Sequence, residues 1–176
     1  RRSRPPSPTS SPPSAPARAY RVIAPDLPGF GNSEHDLADY SFRAHAFYLR
    51  DLMDALDIEQ AHLVGYSMGG GAAYNLYDID PNRIASITLL SSLGVQEFEL
   101  TGDYWLNHAI HGLQLGFFWV LNHLAPHFGA LRDIDGVPFS RNFYESDQRP
   151  LRDVMRRYDK PVLIIQGEAD GQVPPE

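Results

Sequence analysis

Short apolar runs alternate with helix-spaced apolar positions along most of the chain. Residues 21–25, 61–64, 84–90 and 161–167 are short, mainly apolar runs, and 84–90 is also β-branched, which predicts four strands. Between the first two runs, one apolar stripe at helical spacing predicts a helix; it consists of Phe42, His45, Leu49, Leu52, Met53 and Leu56. Strands that alternate with helices predict an α/β fold whose parallel sheet is covered on both faces.

The N-terminal segment lacks this pattern. Residues 1–19 are rich in Pro, Ser, Arg and Ala and have no apolar period, which predicts a disordered segment. Arg-rich, acid-poor composition is also typical of transit peptides, but the many prolines oppose the amphipathic helix that such a peptide needs. We therefore expect the folded part to begin near residue 20.

A long insert separates the third and fourth predicted strands, over residues 95–159. From residue 104 to residue 131 it contains no Asp, Glu, Lys or Arg. A structureless loop of this length is improbable, so we expect a helical cap that offers an apolar wall to a small apolar substrate. Two alternatives stay open: an insert packed on itself without a ligand role, and a membrane contact or span, which four histidines and Pro126 oppose.

Charge and cysteine content narrow the function classes. Residues 22–176 carry 10 basic and 22 acidic side chains, a balance that argues against nucleic-acid binding. The absence of cysteine excludes disulfides, thiol catalysis and thiolate metal sites, and it fits a reducing, cytoplasmic compartment. The sequence leaves the oligomeric state open.

The most informative motif follows the second strand. Gly65-Tyr66-Ser67-Met68-Gly69 has the G-x-S-x-G pattern between an apolar run and a helix-compatible segment, the order of a nucleophile elbow. Such a turn holds Ser67 in a strained conformation, and we expect Gly65 and Gly69 to let the chain fold back without Cβ clashes. The N–H groups of the next helix would face a developing oxyanion. The alternative is a tight structural turn.

Histidines are candidates for metal ligands but lack the right neighbours. His108 with His111, and His123 with His127, have helix-face spacing that suits a metal, yet no carboxylate lies within either pair. We expect these to be structural or cap-facing side chains, with no metal site. His45 lies on the apolar stripe and is predicted to be a packed histidine.

Four blocks, taken in order, resemble the capped, serine-nucleophile branch of the α/β-hydrolase superfamily. Residues 22–33 resemble the fourth strand and its loop, residues 65–70 the elbow, residues 80–92 the sixth strand, and residues 162–174 the seventh strand with the acid loop. The resemblance implies a partial α/β-hydrolase fold: a mostly parallel sheet flanked by helices, with core segments at residues 20–94 and 160–176 and a cap over residues 95–159.

The resemblance also implies roles. Ser67 would be the nucleophile, Met68 would donate an oxyanion-hole N–H, and Asp170 would be the acid that orients a histidine, with Glu97 as a weaker alternative acid. No cofactor is implied. A serine at the elbow favours ester, thioester, amide, lactone or C–C substrates over the epoxide and haloalkane substrates of aspartate-nucleophile relatives.

Two family features have no counterpart. The superfamily's catalytic histidine follows one further strand beyond the acid, whereas the last histidine of this sequence is His127. The earlier strand that carries the second oxyanion donor is replaced by the Pro/Ser/Arg-rich segment. We expect a serine hydrolase by lineage with impaired activity; the alternatives are a non-catalytic remnant or apolar-ligand-binding module, and a membrane-associated domain. Asp26 and Ser33, in the loop after the first strand, are expected to be structural.

Overall fold

A computed structural model describes residues 20–92, 100–124, 136–168 and 170. The elements in chain order are α1 (Phe42–Ala55), β1 (Ala61–Tyr66), α2 (Gly69–Ile79), a 3₁₀ turn (Pro81–Arg83), β2 (Ile84–Leu90), α3 (Tyr104–Leu124), α4 (Gly136–Glu145), α5 (Leu151–Arg157) and β3 (Val162–Ile165). The predicted disordered segment, residues 1–19, lies outside the described residues.

The three strands form one parallel sheet in the order β1-β2-β3. Tyr66, Leu90 and Ile165 stand in register, so the carboxyl ends of all three strands meet at one edge. This arrangement confirms the predicted α/β class and the parallel pairing. It also sets the place of the site, because residues that follow parallel strands collect at that edge.

One layer of helices covers one face of this sheet. Side chains of α1, α2 and α5 pack in a single cluster with Leu63, Ile87 and Leu89 of the strands. The apolar stripe predicted for α1 therefore faces the core, and Ser41 caps that helix by accepting a hydrogen bond from the Ala44 N–H at 3.1 Å. N-caps of this kind typically stabilise a helix by about 1 kcal/mol.

The opposite face of the sheet is bare in the described part of the chain. Val64 and Tyr66 point to it from β1 and are 68% and 70% exposed, and every residue of β3 is exposed. In the described part of the chain, helices therefore cover one face of the sheet, and not the two faces that the alternation of strands and helices predicted. Alternation places every second side chain of β1 away from the helices, and no described helix reaches that side.

The predicted strand at residues 21–25 does not form. These residues are exposed, and none is assigned to a strand. A strand needs a neighbour that satisfies its backbone N–H and C=O groups, and no described strand pairs with this segment. An apolar, β-branched run indicates the tendency to pair but says nothing about whether a partner is present.

The insert divides between the cap and the core. Helices α3 and α4 pack together: the His108 ring stacks on Tyr144 with 4.0 Å between centroids, and His111 stacks on Phe143 at 5.2 Å. Helix α5 instead joins the core cluster through Leu151, although it lies inside the segment predicted as cap. None of the described helices is both long enough and apolar enough to cross a bilayer.

Candidate functional site

The turn between β1 and α2 has the strained geometry of an elbow. Ser67 adopts φ = +49°, in the left-handed region that side chains other than Gly rarely occupy. Two hydrogen bonds close the turn: the Ser67 N–H donates to the Leu90 carbonyl at 3.2 Å, and the Gly70 N–H donates to the Ser67 carbonyl at 3.3 Å. Such strain persists only where the surroundings over-determine it, and here both flanking elements do so.

The two elbow glycines differ in what they contribute. A Cβ at Gly65 would lie 2.8 Å from the Gly70 nitrogen and 2.9 Å from the Gly69 carbonyl group, so β1 and α2 approach each other too closely for any side chain there. A Cβ at Gly69 would meet nothing within 4 Å. The expectation that both glycines prevent Cβ clashes was therefore right for Gly65 and wrong for Gly69.

A second strained corner lies beside the first. Ser91, directly after β2, has φ = +38°, and its neighbour Ser92 donates a hydrogen bond from its hydroxyl to the Ser67 carbonyl at 2.8 Å. Sequence reasoning did not assign Ser92 any part in the site. The available signal was a polar pair placed directly after a buried strand, at the edge where the elbow lies.

Met68 follows Ser67 and begins the approach to α2. Within the described part of the chain its N–H meets no acceptor, as expected for the first orphan donors of a helix. Its side chain packs against Phe42 of α1 and Phe143 of α4. The residue next to the serine is thus held by an aromatic pair that the motif alone did not reveal.

Asp170 lies beyond the carboxyl end of β3, at the same edge of the sheet as Ser67. One strand separates the two positions, which corresponds to about 10 Å between the axes of β1 and β3. The Asp170 carboxylate accepts a hydrogen bond from the Gln166 side chain at 3.0 Å, and its N–H donates to the Gly167 carbonyl at 3.1 Å. Both Ser67 and Asp170 are half-buried.

The serine lacks a base among its described neighbours. No histidine in the described ranges hydrogen-bonds to the Ser67 hydroxyl. Glu97, the alternative acid, and His127 lie outside the described residues, as does the side chain of His123. The part of the chain that the structure describes also holds no cluster of three side chains that would suit a metal ion.

His45 is a packed histidine, as predicted. It is 0% exposed; its Nε2 lies 2.9 Å from the Pro28 carbonyl, and its Nδ1 lies 3.3 Å from the Asn142 side-chain nitrogen. Nε2 is therefore the protonated nitrogen, which donates to Pro28, while Nδ1 accepts. Burial lowers the pKa of His45, although the bond to Pro28 and the charge of Asp39 act in the opposite direction.

The loop after residue 25 is built by its own polar groups. The Asn32 N–H donates to the Asp26 carboxylate at 3.0 Å, and the Ser33 hydroxyl donates to the Asp26 carbonyl at 2.7 Å. A Cβ at Gly31 would fall 2.4 Å from that carboxyl group. Asp26 and Ser33 are therefore structural, as expected.

A concavity of about 390 Å³ lies next to this loop. It is lined by Pro25 to Pro28, Asn32, Ser33, and Tyr48, Leu49 and Leu52 of α1. Ser67, Met68 and Asp170 take no part in it. The predicted apolar pocket over the serine is thus not formed by this concavity.

Comparison with known proteins decides the family. A family model described as alpha/beta hydrolase fold matches residues 8–158. The chain belongs to the α/β-hydrolase fold family. The match starts inside the Pro/Ser/Arg-rich segment and covers the elbow, both insert helices and α5. It confirms the fold that the four sequence blocks implied.

Relatives in this family differ in activity. The chain is 37% identical over 138 residues to a 2-hydroxymuconate semialdehyde hydrolase of Pseudomonas sp. (strain CF600), covering 77% of this chain and 44% of that protein. It is 45% identical over 78 residues to the dihydrolipoyllysine-residue acetyltransferase component of the acetoin cleaving system of Cupriavidus necator, covering 44% of this chain and 21% of that protein. The α/β-hydrolase chain thus spans less than half the length of these curated relatives.

A thermophilic esterase from Thermogutta terrifontis has a similar structure. Its TM-score is 0.66 at 22% identity, with 90% of this chain and 65% of the esterase covered. At this level of identity the likeness concerns the fold alone.

Proposed function

We propose that this chain carries the nucleophile and the acid of a serine hydrolase. The observation that supports it most directly is the positive φ of Ser67 in the turn between β1 and α2. Ser91 is strained as well, so the support comes from the strain at Ser67 together with the G-x-S-x-G motif at the carboxyl end of a strand. The proposed reaction is hydrolysis of an ester, thioester or C–C bond in a small apolar substrate.

The roles follow from the arrangement at the sheet edge. The Ser67 hydroxyl attacks the carbonyl carbon, and the unpaired Met68 N–H stabilises the negative charge that develops on the carbonyl oxygen. Asp170, one strand away, orients a histidine that takes the serine proton. Removing the base from such a set costs orders of magnitude in rate, while the oxyanion donors and binding leave residual catalysis.

The relatives support a carbonyl substrate. The Pseudomonas relative is named for hydrolysis of 2-hydroxymuconate semialdehyde, and an esterase shares the fold. The cap supports an apolar substrate, since Leu113, Phe117 and Trp119 of α3 each expose more than half of their surface. These side chains give the insert an uncharged wall.

A second candidate is a binding module that retains the fold without the chemistry. It is favoured by the absence of a hydrogen-bonded base on Ser67 among the described residues, because a serine hydroxyl is a weak nucleophile at neutral pH without one. Both candidates use the same cap, so they differ only at the serine.

A fluorophosphonate probe separates the two candidates. We expect slow incorporation of one probe per chain at Ser67, mapped by peptide mass spectrometry, and none in Ser67→Ala. Added imidazole should speed labelling in proportion to its concentration, because it supplies a base that none of the described residues offers to Ser67; sodium chloride at equal ionic strength should not. A folded chain that stays unlabelled with and without imidazole would refute the hydrolase proposal and leave the binding module.

A further inference from the structure

The side chain of Met68 rests on a pair of rings contributed by two different parts of the chain. Phe42 begins α1 and Phe143 lies in α4; their centroids are 5.6 Å apart with nearly perpendicular planes, and Met68 packs against the pair. Edge-to-face contacts of this kind favour a fixed relative orientation. Both rings are buried, Phe143 to all but 7% of its surface.

The Phe42 ring also fixes the first turn of α2. A Cβ added at Gly71 would come within 3.0 Å of three atoms of that ring, so Phe42 packs directly against the helix backbone there. The Gly71 N–H donates to the Met68 carbonyl at 3.1 Å. Phe42 is therefore in direct contact with the first turn of the helix that follows Ser67.

Helix α4 holds this arrangement from the cap side. The hydroxyl of Ser146, one residue past α4, accepts a hydrogen bond from the Phe42 N–H at 2.9 Å, and the Asn142 side chain donates to the Tyr40 carbonyl. His111 of α3 stacks on the Phe143 ring. Polar bonds thus attach α4 to the start of α1, where the Phe143 ring packs with Phe42 in the cluster that Met68 contacts.

We propose that Phe143 of the cap helix α4 is a positioning residue for the elbow. Together with the Phe42 ring, it holds Met68 in place. The docking of α4 then controls whether the Met68 N–H keeps its position beside Ser67. The packing role stands by itself, whereas its effect on chemistry rests on the proposed function.

The packing role is tested by methionine-methyl and backbone NMR of Phe143→Leu. Met68 is one of three methionines, and the other two, Met53 and Met155, belong to the separate core cluster around α2. We expect the Met68 methyl and amide resonances to shift, and we expect the Gly71 amide, which donates to the Met68 carbonyl, to exchange at least several-fold faster. The methyl resonances of Met53 and Met155 should not shift.

The matched control is Phe139→Leu. Phe139 lies on the same helix and contacts the Phe143 ring at 4.8 Å between centroids, but it is 45% exposed. Phe139→Leu should leave the Met68 resonances nearly unchanged. An unmoved Met68 in Phe143→Leu, or an equal change in Phe139→Leu, would overturn the proposal.

The effect on chemistry is read from fluorophosphonate labelling of Ser67. Phe143→Leu should label several-fold more slowly than the unchanged chain, whereas Val154→Ala, a truncation in the other core cluster, should label at the unchanged rate. Equal slowing in both variants would mean a general loss of stability and would overturn the positioning role. If the unchanged chain does not label at all, the proposed function fails, and the NMR result alone decides the role of Phe143.

Discussion

Replacing each elbow glycine by alanine tests the close approach of β1 to α2. In Gly65→Ala the new Cβ would lie 2.8 Å from the Gly70 nitrogen and 2.9 Å from two atoms of Gly69. All three are backbone atoms, so no side chain can rotate away, and the first turn of α2 must shift. In Gly69→Ala the Cβ would meet nothing within 4 Å.

The two substitutions should change the free energy of unfolding in opposite directions. Overpacking of this kind costs about 1–3 kcal/mol, and alanine offsets about 0.4–1 kcal/mol of that by restricting the unfolded chain. Gly65→Ala should therefore lower the free energy of unfolding by about 1–2 kcal/mol. Gly69 is the first residue of α2, where alanine has only the favourable effect, so Gly69→Ala should raise it by about 0.4–1 kcal/mol.

Urea unfolding followed by far-UV circular dichroism measures both effects. With a slope of about 1–3 kcal/mol per molar urea, the two midpoints should differ by about 1 M, with Gly65→Ala below the unchanged chain and Gly69→Ala above it. Equal midpoints for the two variants would refute the steric argument. A higher midpoint for Gly65→Ala would do so as well.

Two further predictions concern the buried histidine and the bare sheet face. The pKa of folded His45 lies below its ordinary value, so between the two pKa values the unfolded chain binds more protons than the folded one. The free energy of unfolding should therefore be highest above about pH 6.5 and fall on acidification below it, by up to about 1.4 kcal/mol per pH unit. Urea midpoints from pH 7.5 to 5 should show this slope in the unchanged chain and a smaller one in His45→Gln; parallel curves would contradict it. Val64→Lys, on the bare face of β1, should slow aggregation measured by light scattering without lowering the urea midpoint. The control Val64→Ile should not slow aggregation. If the two variants aggregate equally fast, the bare face is not the cause.

The elbow and the class of fold could be predicted because their signals are local. Gly65 and Ser67 lie within one motif, and the apolar run before them and the helix after them are contiguous in sequence. The packing of His45 followed from its place on an apolar stripe. The signal for each of these features lies in residues that are close in sequence, and helical or strand periodicity reports on such neighbours.

Features that depend on distant partners could not be predicted. Residues 21–25 have the composition of a strand, but pairing requires a second strand, which no local pattern reports. Phe42 and Phe143 are 101 positions apart, so their contact beneath Met68 has no periodic signature. The open space around a Cβ at Gly69 could not be predicted either, because it depends on which distant residues pack beside the first turn of α2.

The bonds that hold Ser67 in its strained state come from a short stretch of chain. Leu90, Ser92 and Gly70 supply them, and all three belong to the β1–α2–β2 unit. The Ser92 bond to Ser67 spans 25 positions, whereas α4 docks on α1 through the Phe42–Ser146 bond, which spans 104 positions. Closing the shorter loop costs less entropy, so this unit should form before the insert docks. The strain at Ser67 is therefore a property of one supersecondary unit, whereas the packing of its neighbour Met68 also depends on α4 of the insert.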